Sequence, residues 1–227
     1  MPRCLYNSSL SDFIDASPKK ILGEFACNYH GTIMTTTNEA WEGEIDIMQA
    51  VLSPWREEPG QIIFEYDIPR LGKRIDVVLL LRGLIFCLEF KVGEKDLLQA
   101  DIEQVLDYAL DLKNFHLLSR DRSIVPVLIP TKYRASSTEL KASVYDDSIY
   151  NPLVTGASGL QNLIKEILVH AGGTNPRIGM VICVPTGNHN KKVGGFPEDS
   201  TRLPEFYDGT YEYLRSLGIK ELADEND

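Results

Sequence analysis

No apolar run in the 227 residues is long enough to cross a bilayer, and the N-terminus lacks a charged-then-apolar leader. The expectation is a cytoplasmic protein without membrane contact. Cysteine is sparse: Cys4, Cys27, Cys87 and Cys183 lie far apart with no C-x-x-C pair, which argues against a zinc framework and suits reduced, mostly buried thiols rather than disulfides. Histidine is equally scarce, and His30, His116, His170 and His189 share no spacing that would make a His-metal cluster. No internal repeat is visible. Gly187-Asn-His-Asn-Lys-Lys lacks the spacing of a phosphate-binding loop, so no ATPase motor is expected. Positive charge is also short, the net value being −10, which at first argues against a polyanionic partner. Nine acids against three bases from Glu198 to Asp227, however, place −6 of that in the tail. Between Lys113 and Lys141 the balance reverses, with Lys113, Arg120, Arg122, Lys132, Arg134 and Lys141 against Asp121 and Glu139. That stretch is either a basic track for a phosphate backbone or a solvated loop.

What is present is a strong core signal. Hydrophobic residues make up 43% of the chain, ample for a packed interior. The centre is RIDVVLLLRGLIFCLEFKV, Arg74 to Val92, where the apolar runs Ile75 to Leu81 and Leu84 to Leu88 flank Arg82-Gly83. This reads as two antiparallel strands closed by a tight turn. Period-two alternation puts Arg74 and Asp76 on one face, and Glu89 and Lys91 likewise. If Leu81 pairs near Leu84, Asp76 comes opposite Glu89. Two carboxylates side by side repel and resist burial unless a cation sits between them. For oxygen-only ligands the natural cation is a hard divalent ion such as Mg2+. Lys91, one step further on the same face, is placed to hold a water or a phosphate oxygen. The bland alternative is a buried ion-pair network.

Around the hairpin, Ser11 or Ser17 can cap short helices, the second with Pro18 in its first turn. Thr37-Asn38 precedes a helix, Glu39 to Leu52, whose Trp41, Ile45, Met48 and Leu52 make a core face. A strand follows at Gln61 to Tyr66; its Glu65 is either a third acid near the ion or an edge residue paired with Arg70 or Arg74. After the hairpin, Asp96 to Leu112 reads as a helix packing through Leu98, Ile102, Val105 and Ala109. Ile124 to Ile129 is a further strand, with Pro126 and Pro130 suggesting a sheet edge or strand ends. The order helix, three strands, helix, strand is an α/β arrangement with a central mixed sheet. Residues 132–159 carry no assignable pattern. Leu160 to Ala171 is an amphipathic helix ended by Gly172-Gly173, Ile178 to Val184 a buried strand, and Phe206 to Leu217 a last helix.

Asp76 followed by Glu89-Phe-Lys91 on consecutive strands resembles the PD-(D/E)XK nuclease superfamily. Gln104-Val-Leu-Asp-Tyr108 is similar to the Q-x-x-x-Y signature of its RecB-like branch, and Gly72-Lys-Arg-Ile-Asp76 to that branch's G-x-x-x-D. Trp41 to His116 further resembles the nuclease-like N-terminal domain of a bacterial helicase family of uncharacterised function. Arg177 to Pro185 and Pro204 to Leu214 resemble the C-terminal end of the same helicases, with the motor between them missing.

The resemblance implies an αβββαβ nuclease core over 1–172 and a C-terminal extension over 173–227. It implies a metal-dependent nuclease acting on phosphodiesters, DNA rather than RNA, with Mg2+ or substituting Mn2+ as cofactor. Asp76 and Glu89 would hold the ion, with the Phe90 carbonyl and Glu44, from the first core helix, as further ligands; an exposed helix charge is the plain alternative for Glu44. Lys91 would act on the water or the transition state, and Gln104 and Tyr108 would steady Lys91 and the phosphate. The alternative class is an inactive nuclease-fold module that binds nucleic acid or a protein partner, with phage defence as one setting.

Overall fold

The computed structural model describes residues 3–29, 31, 34–68, 73–119, 121–134 and 148–171. The chain opens with β1 (Tyr6–Ser9), α1 (Leu10–Asp15) and α2 (Pro18–Asn28). Ser9 caps α1 by accepting from the Asp12 N–H, and Ser17 caps α2 by accepting from Lys20 N–H, with Pro18 opening the helix. Ser17 was the expected cap of α2; Ser9, not Ser11, starts α1. The helix α3 (Thr35–Leu52) begins four residues earlier than the Glu39 expected, behind Met34, which supplies no side-chain cap. Its Trp41, Ile45, Met48 and Leu52 are buried as the helical spacing requires.

Three antiparallel strands follow, β2 (Gly60–Asp67), β3 (Arg74–Leu81) and β4 (Leu84–Lys91). The β3–β4 turn is tight because Arg82 (φ 48°) and Gly83 (φ 78°) both take left-handed backbone, whose twist matches that of the flanking strands. Leu81 pairs with Leu84, the register expected from the sequence. Then come α4 (Gln99–Phe115), β5 (Ser123–Pro130), the short β6 (Leu153–Val154) and α5 (Leu160–Ala171). The six strands form one sheet in the order β1-β2-β3-β4-β5-β6, antiparallel up to β4 and parallel beyond it. It is an α/β sheet flanked by helices. Alternate strand residues such as Phe64, Val77, Leu79, Phe86 and Val127 pack with α1, α2, α3 and α5. The opposite residues Ile63, Val78, Ile85 and Cys87 meet Tyr108, Ala109 and Leu112 of α4.

Several expectations need correction. Pro130 ends β5, as one of the two expected readings had it, but the other reading fails for the strand: β5 is not at the sheet edge and lies between β4 and β6. Pro126 is tolerated because Ile124 and Leu128, two residues either side, make their outer bonds to Ser148, Tyr150 and Thr155, which leaves Pro126 in the gap of that interrupted ladder. Leu98 is not in the packing stripe of α4 but precedes the helix and is exposed, while Val105 and Ala109 are buried as expected. Cys27 and Cys87 are free thiols, the first exposed, but Cys4 is disulfide-bonded, against the expectation of reduced cysteines. No helix among the described residues is long and apolar enough to cross a membrane. The segments expected at 173–227, with Gly72, Arg70, His30, Arg120 and Lys141, lie outside the described residues.

Candidate functional site

The site is made where the sheet splits. The β3–β4 ladder ends at the pair Val77–Leu88. Beyond that rung β3 continues against β2 as far as Arg74, and β4 continues against β5 as far as Lys91. Asp76 and Glu89 are the first residues past the last rung, one on each arm of the fork. With no backbone partner on this side, the Phe90 N–H donates to Asp76 Oδ2 at 2.8 Å. The Phe90 N–H thus faces the fork.

Glu89 sits deep, at 4% exposure. Its Oε1 accepts from Lys91 Nζ at 3.1 Å and from Gln104 Nε2 at 3.0 Å. Gln104 Oε1 accepts from Lys91 Nζ at 3.0 Å, and Gln104 Nε2 also donates to Tyr108 Oη at 2.6 Å. Because a lysine ammonium can only donate, the amide oxygen must face it, which fixes the amide orientation. Four-residue spacing on α4 is what brings Gln104 and Tyr108 together on the face turned to β4. Asp101, one turn earlier on that face, reaches Lys91 at 3.4 Å. Sequence reasoning missed Asp101, although its i, i+3 relation to Gln104 was a usable signal.

On the other side of the fork stand Glu44 of α3 and Glu65 of β2. Glu44 is only 5% exposed, so it is not the solvated helix charge that was its alternative. Glu65 pairs with Arg74, as one of its expected readings had it, although β2 lies between β1 and β3 and is not an edge strand. Its Oε1 accepts from Trp41 Nε1 at 2.8 Å and its Oε2 from Arg74 at 3.3 Å, yet its charge is also felt by Glu44, Asp76 and Glu89.

Burial first, then Glu89 and Glu44, hold the Asp76 carboxyl well above its ordinary range, with the Phe90 N–H opposing. Burial, Glu65 and Glu89 raise Glu44 strongly. Burial raises Glu89 too, although Lys91 pulls against it. Burial alone would lower the Lys91 ammonium, but Glu89 and Asp101 hold it above its usual value.

The acids therefore outnumber the cations. Glu44, Glu65, Asp76 and Glu89 face Lys91 and Arg74, and the buried oxygens Glu44 Oε2 and Glu89 Oε2 have no hydrogen-bond partner among the described residues. An uncompensated buried carboxylate is costly unless protonated or met by a cation. Among the described residues no group of three or more His, Cys, Asp or Glu is arranged to hold a metal ion as it stands. The oxygen-only chemistry and the charge deficit nevertheless fit a hard divalent cation.

The expected basic track is only partly described. Lys113 is spent on the Arg122 carbonyl at 2.7 Å, while Lys132 and Arg134 lie where β5 ends, near the outer end of β4. The described histidines are hydrogen-bonded: His116 to Ser119 at 2.6 Å and His170 to the Glu166 carbonyl at 2.8 Å. Comparison with family models, with curated proteins and with solved structures finds no match to this chain.

Proposed function

We propose that this chain is a divalent-metal-dependent nuclease of the PD-(D/E)XK type, hydrolysing phosphodiester bonds, in DNA rather than RNA. The observation that carries the reading is the linked set Asp76, Glu89, Lys91, Gln104 and Tyr108 at the fork of the sheet, the five residues that bear the sequence resemblance. The order α3-β2-β3-β4-α4-β5 supports it, being the αβββαβ order of that superfamily.

Asp76 and Glu89 would hold Mg2+, with the Phe90 carbonyl and Glu44 in reach as further oxygen donors. The ion, when bound, acidifies water and neutralises charge on the scissile phosphate. Glu89 and Gln104 aim the Lys91 ammonium. Lys91 then orients the attacking water by hydrogen bond and opposes the charge that builds on the phosphate oxygens. Tyr108 fixes the Gln104 amide and so the direction of Lys91.

The second reading, a binding module that does not cut, is favoured by one feature: Lys91 already has three partners, Glu89, Gln104 and Asp101, as in a structural ion-pair network. Incubation with plasmid and oligonucleotide substrates in Mg2+, Mn2+ or EDTA separates the two. Metal-dependent cleavage supports the nuclease, and binding without cleavage in every metal supports the module.

A further inference from the structure

The second cation of the site, Arg74, has no part in the metal or in the Lys91 network. It closes a ring of four side chains at the rim of the fork. Arg74 Nη1 meets Glu65 Oε2 at 3.3 Å, Glu65 Oε1 accepts from Trp41 Nε1 at 2.8 Å, and Trp41 stands edge-on to Tyr29 with centroids 5.5 Å apart. The Tyr29 ring lies under the Arg74 guanidinium, 5.9 Å from its carbon, which completes the ring. The frame is held by a strained backbone. Phe64 pairs with Val77 and Tyr66 with Ile75, but Glu65 between them is left out of the ladder at φ 55°. That conformation is disfavoured for a non-glycine residue, whose Cβ crowds the following carbonyl. Such strain persists where the surroundings impose it, and it marks functional positions more often than bystanders.

The two cations differ in what they have left to give. Lys91 is engaged by three acceptors and its side chain is only 24% exposed. Arg74 carries five N–H donors, makes one long hydrogen bond among the described residues, and is 40% exposed. Its planar fork suits paired phosphate oxygens, and the aromatic ring beneath it fixes the plane without using a donor.

We infer that Arg74 binds a backbone phosphate of the nucleic-acid substrate next to the one that is cut, and that Glu65, Trp41 and Tyr29 position it. The inference rests on the nuclease reading and deepens it by assigning the rim contact. A chain of net charge −10 with an acid cluster at its site repels a polyanion, so a cation aimed outward at the rim has a clear use. Glu65 is a positioning residue here: it holds Arg74 without touching substrate.

The test is the salt dependence of binding of a fluorescein-labelled DNA duplex with Mg2+ present, in a Lys91→Ala background that slows cleavage. Each lost phosphate contact lowers the slope of log affinity against log salt by about 0.9 for a duplex. Adding Arg74→Gln is expected to lower it by that amount and to weaken binding several-fold at low salt. Arg74→Lys, which keeps the charge, is expected to restore most of the slope, and Glu65→Gln to weaken binding with an intermediate slope. Lys73→Gln is the control, because Lys73 is occupied by Asp107 and Asp111 of α4 and should leave the slope unchanged. If the background protein binds duplex and Arg74→Gln has the same slope, the inference about Arg74 is overturned while the nuclease reading stands. If neither the background nor the wild type binds nucleic acid at any salt, both fall together.

Discussion

Asp76 and Glu89 sit directly beyond the pair Val77–Leu88, on the two arms that part where the β3–β4 ladder stops. Glu89 raises the proton affinity of the Asp76 carboxyl, while the Phe90 N–H, donating to Asp76, opposes it. A cation at the fork therefore relieves a repulsion built into the fold.

Metal should stabilise the protein through this pair. Mg2+ or Mn2+ is expected to raise Tm with concentration, as any ligand of the folded state does. Asp76→Asn removes one charge of the pair, so it should abolish that shift while leaving the metal-free Tm equal to wild type or higher. Equal metal-induced shifts in both proteins would place any ion elsewhere.

Acid should stabilise the metal-free protein over part of its range. Asp76, Glu44 and Glu89 have folded pKa values raised above the ordinary 3.8 and 4.5. Their contribution is fully present below those values and is lost as pH rises through the raised ones, so in EDTA Tm should fall from mildly acidic to alkaline pH. Saturating Mg2+ should flatten or reverse this trend. His116 acts oppositely: burial, with Arg3, lowers it from 6.5 to about 3, so its contribution is lost as pH falls through that window. His116→Gln should therefore make the acid-side gain larger. A metal-free Tm that climbs with pH in the His116→Gln protein would contradict the raised carboxylates.

Lys91 separates enzyme from ion-pair network. As the group acting on the phosphate, its loss in Lys91→Ala should cost about two to three decades in cleavage rate. Metal-dependent stabilisation should survive, since an ammonium is no ligand. In the network reading the same change leaves Glu89 without its cation and lowers stability by roughly 3–5 kcal/mol, the cost of breaking a buried pair. Thermal melting and single-turnover cleavage on one variant read both outcomes.

The central hairpin was legible because its signals are local. Arg82-Gly83 permits the left-handed turn, and two apolar runs around it force the register Leu81–Leu84 from which the Asp76–Glu89 apposition follows. The Gln104–Tyr108 contact was legible for the same reason, since helical spacing alone makes it. What escaped depends on distant partners. β1 and β6 carry too few residues to show a period, and β6 is defined only by pairing with β5. The exposed Leu98 looks like core until the helix is seen to begin after it. Pro126 reads as an edge signal unless the gap in the outer ladder is known. Glu65 could not be decided between two readings because its left-handed backbone, and not its neighbours in sequence, turns it toward both Trp41 and Arg74.

The most direct measurement is the cleavage rate of a DNA substrate as Mg2+ is titrated, with wild type and Asp76→Asn side by side. Wild type should cut with a rate that rises and saturates with Mg2+, is supported by Mn2+, and vanishes in EDTA. Asp76→Asn, folded and equally stable, should show no metal-dependent cleavage above background. Wild-type protein that binds DNA but leaves it intact across the whole Mg2+ and Mn2+ range, or Asp76→Asn that cuts as fast as wild type, would contradict a metal-dependent nuclease at this fork.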